Sequence, residues 1–144
     1  MVLRPDAVRE RIARLEEIVS RLEQLQCQPP RATPGDFRDA WAAERGLQLG
    51  AEIVFDLGNH ILSAHFGVSA RDYEDIIVQL AATCVIDAAL QQRLTGLGGF
   101  RNILVHGYLR IDPARVAEHL ERAPSDFSAL AQAVRVWLDR TVAS

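Results

Sequence analysis

What the sequence has little of bounds what it can be. Its 144 residues include two cysteines, Cys27 and Cys84. Neither has a partner at metal-ligand spacing, so both are read as free thiols rather than as a disulfide framework or a zinc site. Glycine (9) and proline (6) are too few for a linker-dominated or disordered chain. No stretch approaches the roughly 18 apolar residues that would span a membrane. The N-terminus MVLRPDAVRERIARLEE is charged from its first turn and lacks an apolar secretory core, which makes the cytoplasm the expected location, away from any membrane. An excess of positive charge is missing too: 16 Lys+Arg against 19 Asp+Glu leave a net charge of −3. Proteins that hold nucleic acid by counterion release alone are basic, so any contact with RNA here has to rest on a local arginine cluster. Strand signals are nearly absent, with no alternating run between hairpin turns, and no internal repeat is visible.

What is present is an ordinary globular composition, 49% hydrophobic and 24% charged, at a length that suggests one domain over residues 1–144. Val8, Ile12, Leu15, Val19 and Leu22 recur at steps of three and four, which predicts an amphipathic helix over 5–26. Pro5 and Asp6 suit its first turn, and CQPPRATPG ends it. A longer helix is expected from about Asp36 to His65, with Gly67 as its stop. Its small residues Gly46, Gly50, Ala51 and Gly58 lower helix propensity but let another helix approach. The segment SARDYEDIIVQLAATCVIDAALQQRL reads as a third element starting at Ser69 or Ala70, capped through Asp72 and Asp75, with a possible hinge near Ala82. TGLGG is expected to break the chain before FRNILVHGYLRID. Pro113 opens ARVAEHLERA after an Asp112 cap, and a final helix is expected from Ser125, after Pro124. Its stripe is Phe127, Leu130, Val134, Trp137 and Leu138. The fold class that follows is all-α, an antiparallel up-and-down bundle of five or six helices.

The segment GGFRNILVHGYLR carries the candidate chemistry. Phe100, Ile103 and Leu104 should face the core, while Asn102 and His106, four apart, stack on one face. Arg101 and His106 are five apart, about 140° around a helix, an angle that a long arginine side chain can close. Gly107 should bend or end the helix and leave Tyr108 free to swing toward the histidine. Attack of a ribose 2′-hydroxyl on the adjacent phosphate needs a proton taken, a proton given and negative charge stabilised. Histidine titrates near neutrality and can serve either proton step. Arginine stays charged and grips phosphate oxygens with a planar fork, and Asn102 can orient either. Equally, a histidine on a helix flank is commonly structural, and Arg-Asn after glycines can be a plain helix start. Spacing leaves both readings open.

RNILVHGY resembles the motif of HepT-like toxins in the HEPN superfamily: arginine, four residues, histidine, one residue, tyrosine, with a polar residue second. Arg101, Asn102, His106 and Tyr108 match every one of those positions. AERGLQLGAEIVFDLGNHIL looks like the long second helix of that family, and YLRIDPARVAEHL like the segment after its motif, so the resemblance runs from about residue 40 to 140. It implies a HEPN/HepT-like helical domain and metal-independent RNA cleavage by a toxin of a toxin–antitoxin pair, with no cofactor. Arg101 and His106 would be the core pair and Asn102 their companion. It implies a homodimer whose two motifs face a shared cleft, and a nucleotidyltransferase antitoxin similar to MntA that adenylylates Tyr108. The bulky anion so added would block phosphate entry. The alternative is a non-catalytic helical adapter for that nucleotidyltransferase, favoured by the acidic net charge.

Other residues are weaker candidates. Glu52, Asp56 and Asn59 fall at steps of four and three on the second helix, one face that could brace the arginine or position substrate. His60 and His65 are five apart, the wrong spacing for a two-histidine metal face, and are read as structural or surface. His119 sits in a charged stretch and is expected to be exposed. Trp41 and Trp137 are read as core or interface anchors, because no basic residues interleave with them. Arg93 and Arg110 are placed on an exposed face flanking the motif.

Overall fold

Val8, Ile12, Leu15, Val19 and Leu22 are all buried, and the helix they line, α1 (Pro5–Cys27), packs on the second and the last helix of the chain. The computed structural model describes residues 2–27 and 37–143. The CQPPRATPG break and the expected helix start at Asp36 therefore lie, beyond Cys27, outside the described residues. The remaining helices are α2 (Phe37–Ile61), α3 (Tyr73–Ala82), α4 (Ala88–Leu94), α5 (Leu97–His106) and α6 (Pro113–Ala143), and no strand occurs among the described residues. The expected all-α bundle is what forms.

Side-chain links set the directions of the long helices. Arg9 pairs with Asp139 at 3.1 Å and Glu16 with Arg135 at 2.5 Å, while Gln26 reaches Leu120, so α1 and α6 run antiparallel. At the start of α1 the Arg4 N–H donates to His60 Nε2, at the end of α2, across 3.2 Å. Burial, then Arg11 and Arg4, lower the His60 pKa, which suits a neutral imidazole acting as acceptor. Exposed ion pairs of this kind contribute less than about 1 kcal/mol. The core is held instead by apolar burial, with Phe55, Leu57 and Ile61 of α2 and Phe127, Leu130 and Leu138 of α6 nearly inaccessible. Close approach depends on missing side chains. A methyl group on Gly50 would overlap the Phe127 ring, and one on Gly58 would meet Ile76. At its end α2 widens into a π-turn, Leu62–Phe66, closed by Gly67 in the left-handed region (φ 66°). His65 packs edge-on against Phe66 and Trp137.

The third element is two helices, as the hinge suggested, each capped by an aspartate. Asp72 accepts from the Asp75 N–H and Asp87 from the Leu90 N–H, both at 2.8 Å.

Two expectations about the helices and their burial need correction. The two C-terminal helices are one, α6, which passes through Pro124 without a break. A proline there removes the donor for the Leu120 carbonyl, and the Gln26 carboxamide of α1 replaces it, donating to Leu120 O (2.7 Å) and Glu121 O (3.0 Å). His119 is buried rather than exposed, its ring stacked on Phe100 at 3.7 Å between centroids. Of the two tryptophans read as core or interface anchors, Trp137 is in the core and Trp41 is exposed, set against Phe37 at 4.6 Å.

Candidate active site

Helix α5 is built to hold one rotation. TGLGG breaks the chain only at its start: Gly96 takes φ 93°, a left-handed turn, and Gly98 and Gly99 already belong to the helix. Glu74 of α3 caps that start, its carboxylate accepting from the N–H groups of Gly96 (3.0 Å) and Gly98 (2.6 Å). Leu97 and Phe100 are buried, and Phe100 is fixed against His119. Ile103, expected in the core, is exposed, because this short helix meets the core through Leu97, Phe100 and the half-buried Leu104.

With Phe100 facing inward, the next residue, Arg101, points at α2 and α3. Its Nε donates to Glu52 Oε1 at 2.5 Å, its Nη1 to Asn102 Oδ1 at 3.2 Å, and its Cζ lies 4.6 Å from the centre of the Tyr73 ring. Only 13% of the side chain is exposed. The Glu52 hydrogen bond, the largest influence, raises the Arg101 pKa further, so the group stays charged. Both Nη2 N–H groups keep no hydrogen-bond partner among the described residues, which leaves that amino group of the fork for a ligand.

No hydrogen bond links Arg101 to His106 among the described residues. His106 stands exposed on the last turn of α5 and has no hydrogen-bond partner among the described residues. Gly107 ends the helix, its N–H donating to Ile103 O at 2.9 Å, and a short 3-10 turn, Tyr108–Arg110, follows. Tyr108 is 71% exposed there. The structure thus joins Arg101, Asn102 and Glu52, and leaves His106 and Tyr108 open to solvent.

Asp56 and Asn59, on the same face of α2 as Glu52, do not touch the arginine through hydrogen bonds. They line, with Phe55, Asp72, Tyr73 and Asn102, a cavity of about 470 Å³ beside it. A larger groove of about 750 Å³ lies between α4 and α6 and is lined by none of the motif residues. Tyr73 and Glu74, which seat Arg101 and cap α5, were not singled out from the sequence. Their only signal there was the DYED run at the start of α3.

An all-α bundle presenting arginine, asparagine, histidine and tyrosine at this spacing fits the HepT-like pattern. The profile of the ribonuclease HepT-like family matches residues 8–134, and the chain belongs to that family. It is 35% identical over 81 residues to the tRNA nuclease HepT of Aphanizomenon flos-aquae, a match that covers 56% of this chain and 54% of the relative, so the chain spans about half the length of that relative. Among solved structures it is similar to the tri-AMPylated Shewanella oneidensis HEPN toxin in complex with MNT antitoxin (TM-score 0.80, 23% identity, covering 91% of this chain and 98% of the other). It is also similar to the cytosolic protein YutE of Bacillus subtilis (TM-score 0.83, 18% identity, 100% and 97% covered). At those identities the likeness is one of fold.

Proposed function

We propose that this chain is an endoribonuclease toxin that cleaves RNA without a metal ion, as a single HepT-like helical domain. The observation that carries the proposal is the state of α5. Arg101 is tethered at Nε with its Nη2 edge open, and an unpartnered imidazole, His106, follows on the same helix. In this reading the Arg101 fork binds the non-bridging oxygens of a phosphodiester and neutralises charge as it builds. Asn102 holds the fork in plane. His106 takes the proton of the 2′-hydroxyl, the 2′-oxygen bonds to phosphorus, and the 5′-oxygen leaves with a proton from an acid, giving a 2′,3′-cyclic phosphate and a free 5′-hydroxyl.

One chain offers one histidine in this position, whereas the reaction wants a base and an acid. A homodimer with facing motifs supplies both. Among the described residues no helix is long and apolar enough to cross a membrane, and a cytoplasmic site of action is proposed with the RNA substrate. The partner is an MntA-like nucleotidyltransferase antitoxin. The Tyr108 hydroxyl, on an exposed turn beside His106, attacks the α-phosphate of ATP on that enzyme and pyrophosphate leaves. The resulting phosphodiester puts an anion where substrate phosphate would enter.

The test is incubation of purified chain with total RNA in chelator, beside Arg101→Ala and His106→Ala. Cleavage that survives the chelator and is lost in both variants supports the proposal, and equal behaviour of all three sinks it. The net charge of −3 favours a non-catalytic adapter for the nucleotidyltransferase as the second reading, and that reading predicts the equal behaviour. Mass spectrometry of the pair made together should find AMP on Tyr108 under either.

A further inference from the structure

The cavity beside Arg101 has no part in the proton transfers or phosphate contacts above. It opens between α2, α3 and α5 and measures about 470 Å³, within the size range of small-molecule sites. Its apolar wall presents the half-buried ring of Tyr73, backed at 4.8 Å by the ring of Phe55, which is itself only 2% exposed. Its polar lining is Asp56, Asn59 and Asn102, with Asp72 at the rim. The side chains of Asp56 and Asn59 make no hydrogen bond among the described residues, and Asn102 spends its oxygen on Arg101 while its amide N–H groups stay unused.

This chemistry selects its ligand. Two aspartates disfavour a second phosphate, and a plain hydrocarbon would strand a carboxylate and two carboxamides unsatisfied. A flat, uncharged heterocycle with polar edges satisfies both the ring wall and the polar lining, which is how single-stranded RNA bases are commonly held. Tyr73 connects this cavity to the phosphate site, since the Arg101 guanidinium lies over its ring. A phosphate gripped by Nη2 therefore leaves a neighbouring base at the cavity mouth.

We propose that the cavity is a nucleobase subsite that takes a guanine flanking the scissile phosphate. Of the four bases, guanine alone presents two adjacent N–H donors, N1–H and N2–H, and a carboxylate such as Asp56 accepts such a pair bidentately. The carboxamides of Asn59 and Asn102 are the donors left for its O6 and N7. The inference rests on the ribonuclease reading, because Arg101 must hold the phosphate for the base to be presented.

The experiment measures cleavage rates on short RNAs identical except for G, A, C or U beside the cut, for wild type, Asp56→Asn and Asn59→Ala. Wild type should favour guanine by about tenfold or more, the discrimination of a bidentate base contact, and the ratio should collapse toward one in Asp56→Asn and shrink in Asn59→Ala. A ratio is read, so a general loss of rate does not mimic the result. Equal wild-type rates for all four bases, preference for another base, or a ratio untouched by either variant overturns the subsite. Wild type that cuts nothing overturns the ribonuclease reading instead. Titration of His106→Ala with the four nucleoside monophosphates, followed by the side-chain amide NMR signals of Asn59 and Asn102, then decides the cavity separately. Shifts with GMP alone support it, and no shift with GMP ends it.

Discussion

Glu52 and Arg101, on different helices and 49 positions apart in sequence, share a 2.5 Å hydrogen bond through the arginine Nε. The bond uses the inner edge of the fork and so aims the outer edge. Glu52 is thus a positioning residue: it touches no substrate in the proposed reaction but sets where Arg101 meets the phosphate. Glu52→Ala should lower RNA cleavage by about 10²-fold, the scale of a misplacement of about 1 Å, while Glu52→Gln, which keeps an acceptor oxygen, should recover much of it. Arg101→Lys should stay inactive despite its charge, because an ammonium cannot serve Glu52, Asn102 and a phosphate in one plane. Unfolding in urea checks the separate cost of leaving a mostly buried guanidinium without its acceptor, about 1–3 kcal/mol. If Glu52→Gln loses as much activity as Glu52→Ala, the positioning role fails.

What could be read from sequence follows from what is local. The stripe Val8, Ile12, Leu15, Val19, Leu22 announced α1, and the Asp72 cap announced α3 to within a turn, because periodicity and capping are properties of a few consecutive residues. The glycines of α2 were legible as contact points, though not that Phe127 and Ile76 fill them. Pro124 misled because its lost hydrogen bond is replaced from another helix, which no local rule sees. His119 misled because charged neighbours say nothing about the aromatic surface of Phe100 beneath it. At the candidate site the motif residues and the Glu52–Asp56–Asn59 face were visible, the first from resemblance and the second from spacing. The seating of Arg101 was not, since it depends on Glu52 and Tyr73 arriving from two other helices.

The Gln26–Pro124 relationship makes its own prediction. Gln26 donates to the Leu120 carbonyl that a proline leaves unserved, and to that of Glu121 beside it, so Gln26→Ala should cost about 1 kcal/mol. Restoring a backbone N–H with Pro124→Ala lets α6 satisfy Leu120 itself. In that background Gln26→Ala should cost less than about 0.5 kcal/mol, a coupling that a double-mutant cycle in urea measures directly. Identical costs in the two backgrounds would show that Gln26 contributes packing alone.

His119 sets a pH dependence. Its ring is buried against Phe100, and desolvation, then the nearby Arg122 and Arg115, lower its pKa from 6.5 to about 4. Between those values the unfolded chain binds a proton that the folded chain refuses, so the unfolded state gains as the medium acidifies. The stability held by a neutral His119 is therefore complete above pH 6.5 and is lost progressively as pH falls toward 4, on the order of 2 kcal/mol over the window. Phenylalanine at this position keeps a stacked ring and removes the titration. Urea unfolding of wild type and His119→Phe at pH 7.5 and pH 4.5 should show the variant gaining on wild type by that amount at the lower pH. Carboxylates elsewhere titrate in both proteins and cancel in the difference. A gap between the two that stays constant with pH would mean that the stacked imidazole takes up its proton as readily as in the unfolded chain, and that the Phe100–His119 contact tolerates a cation.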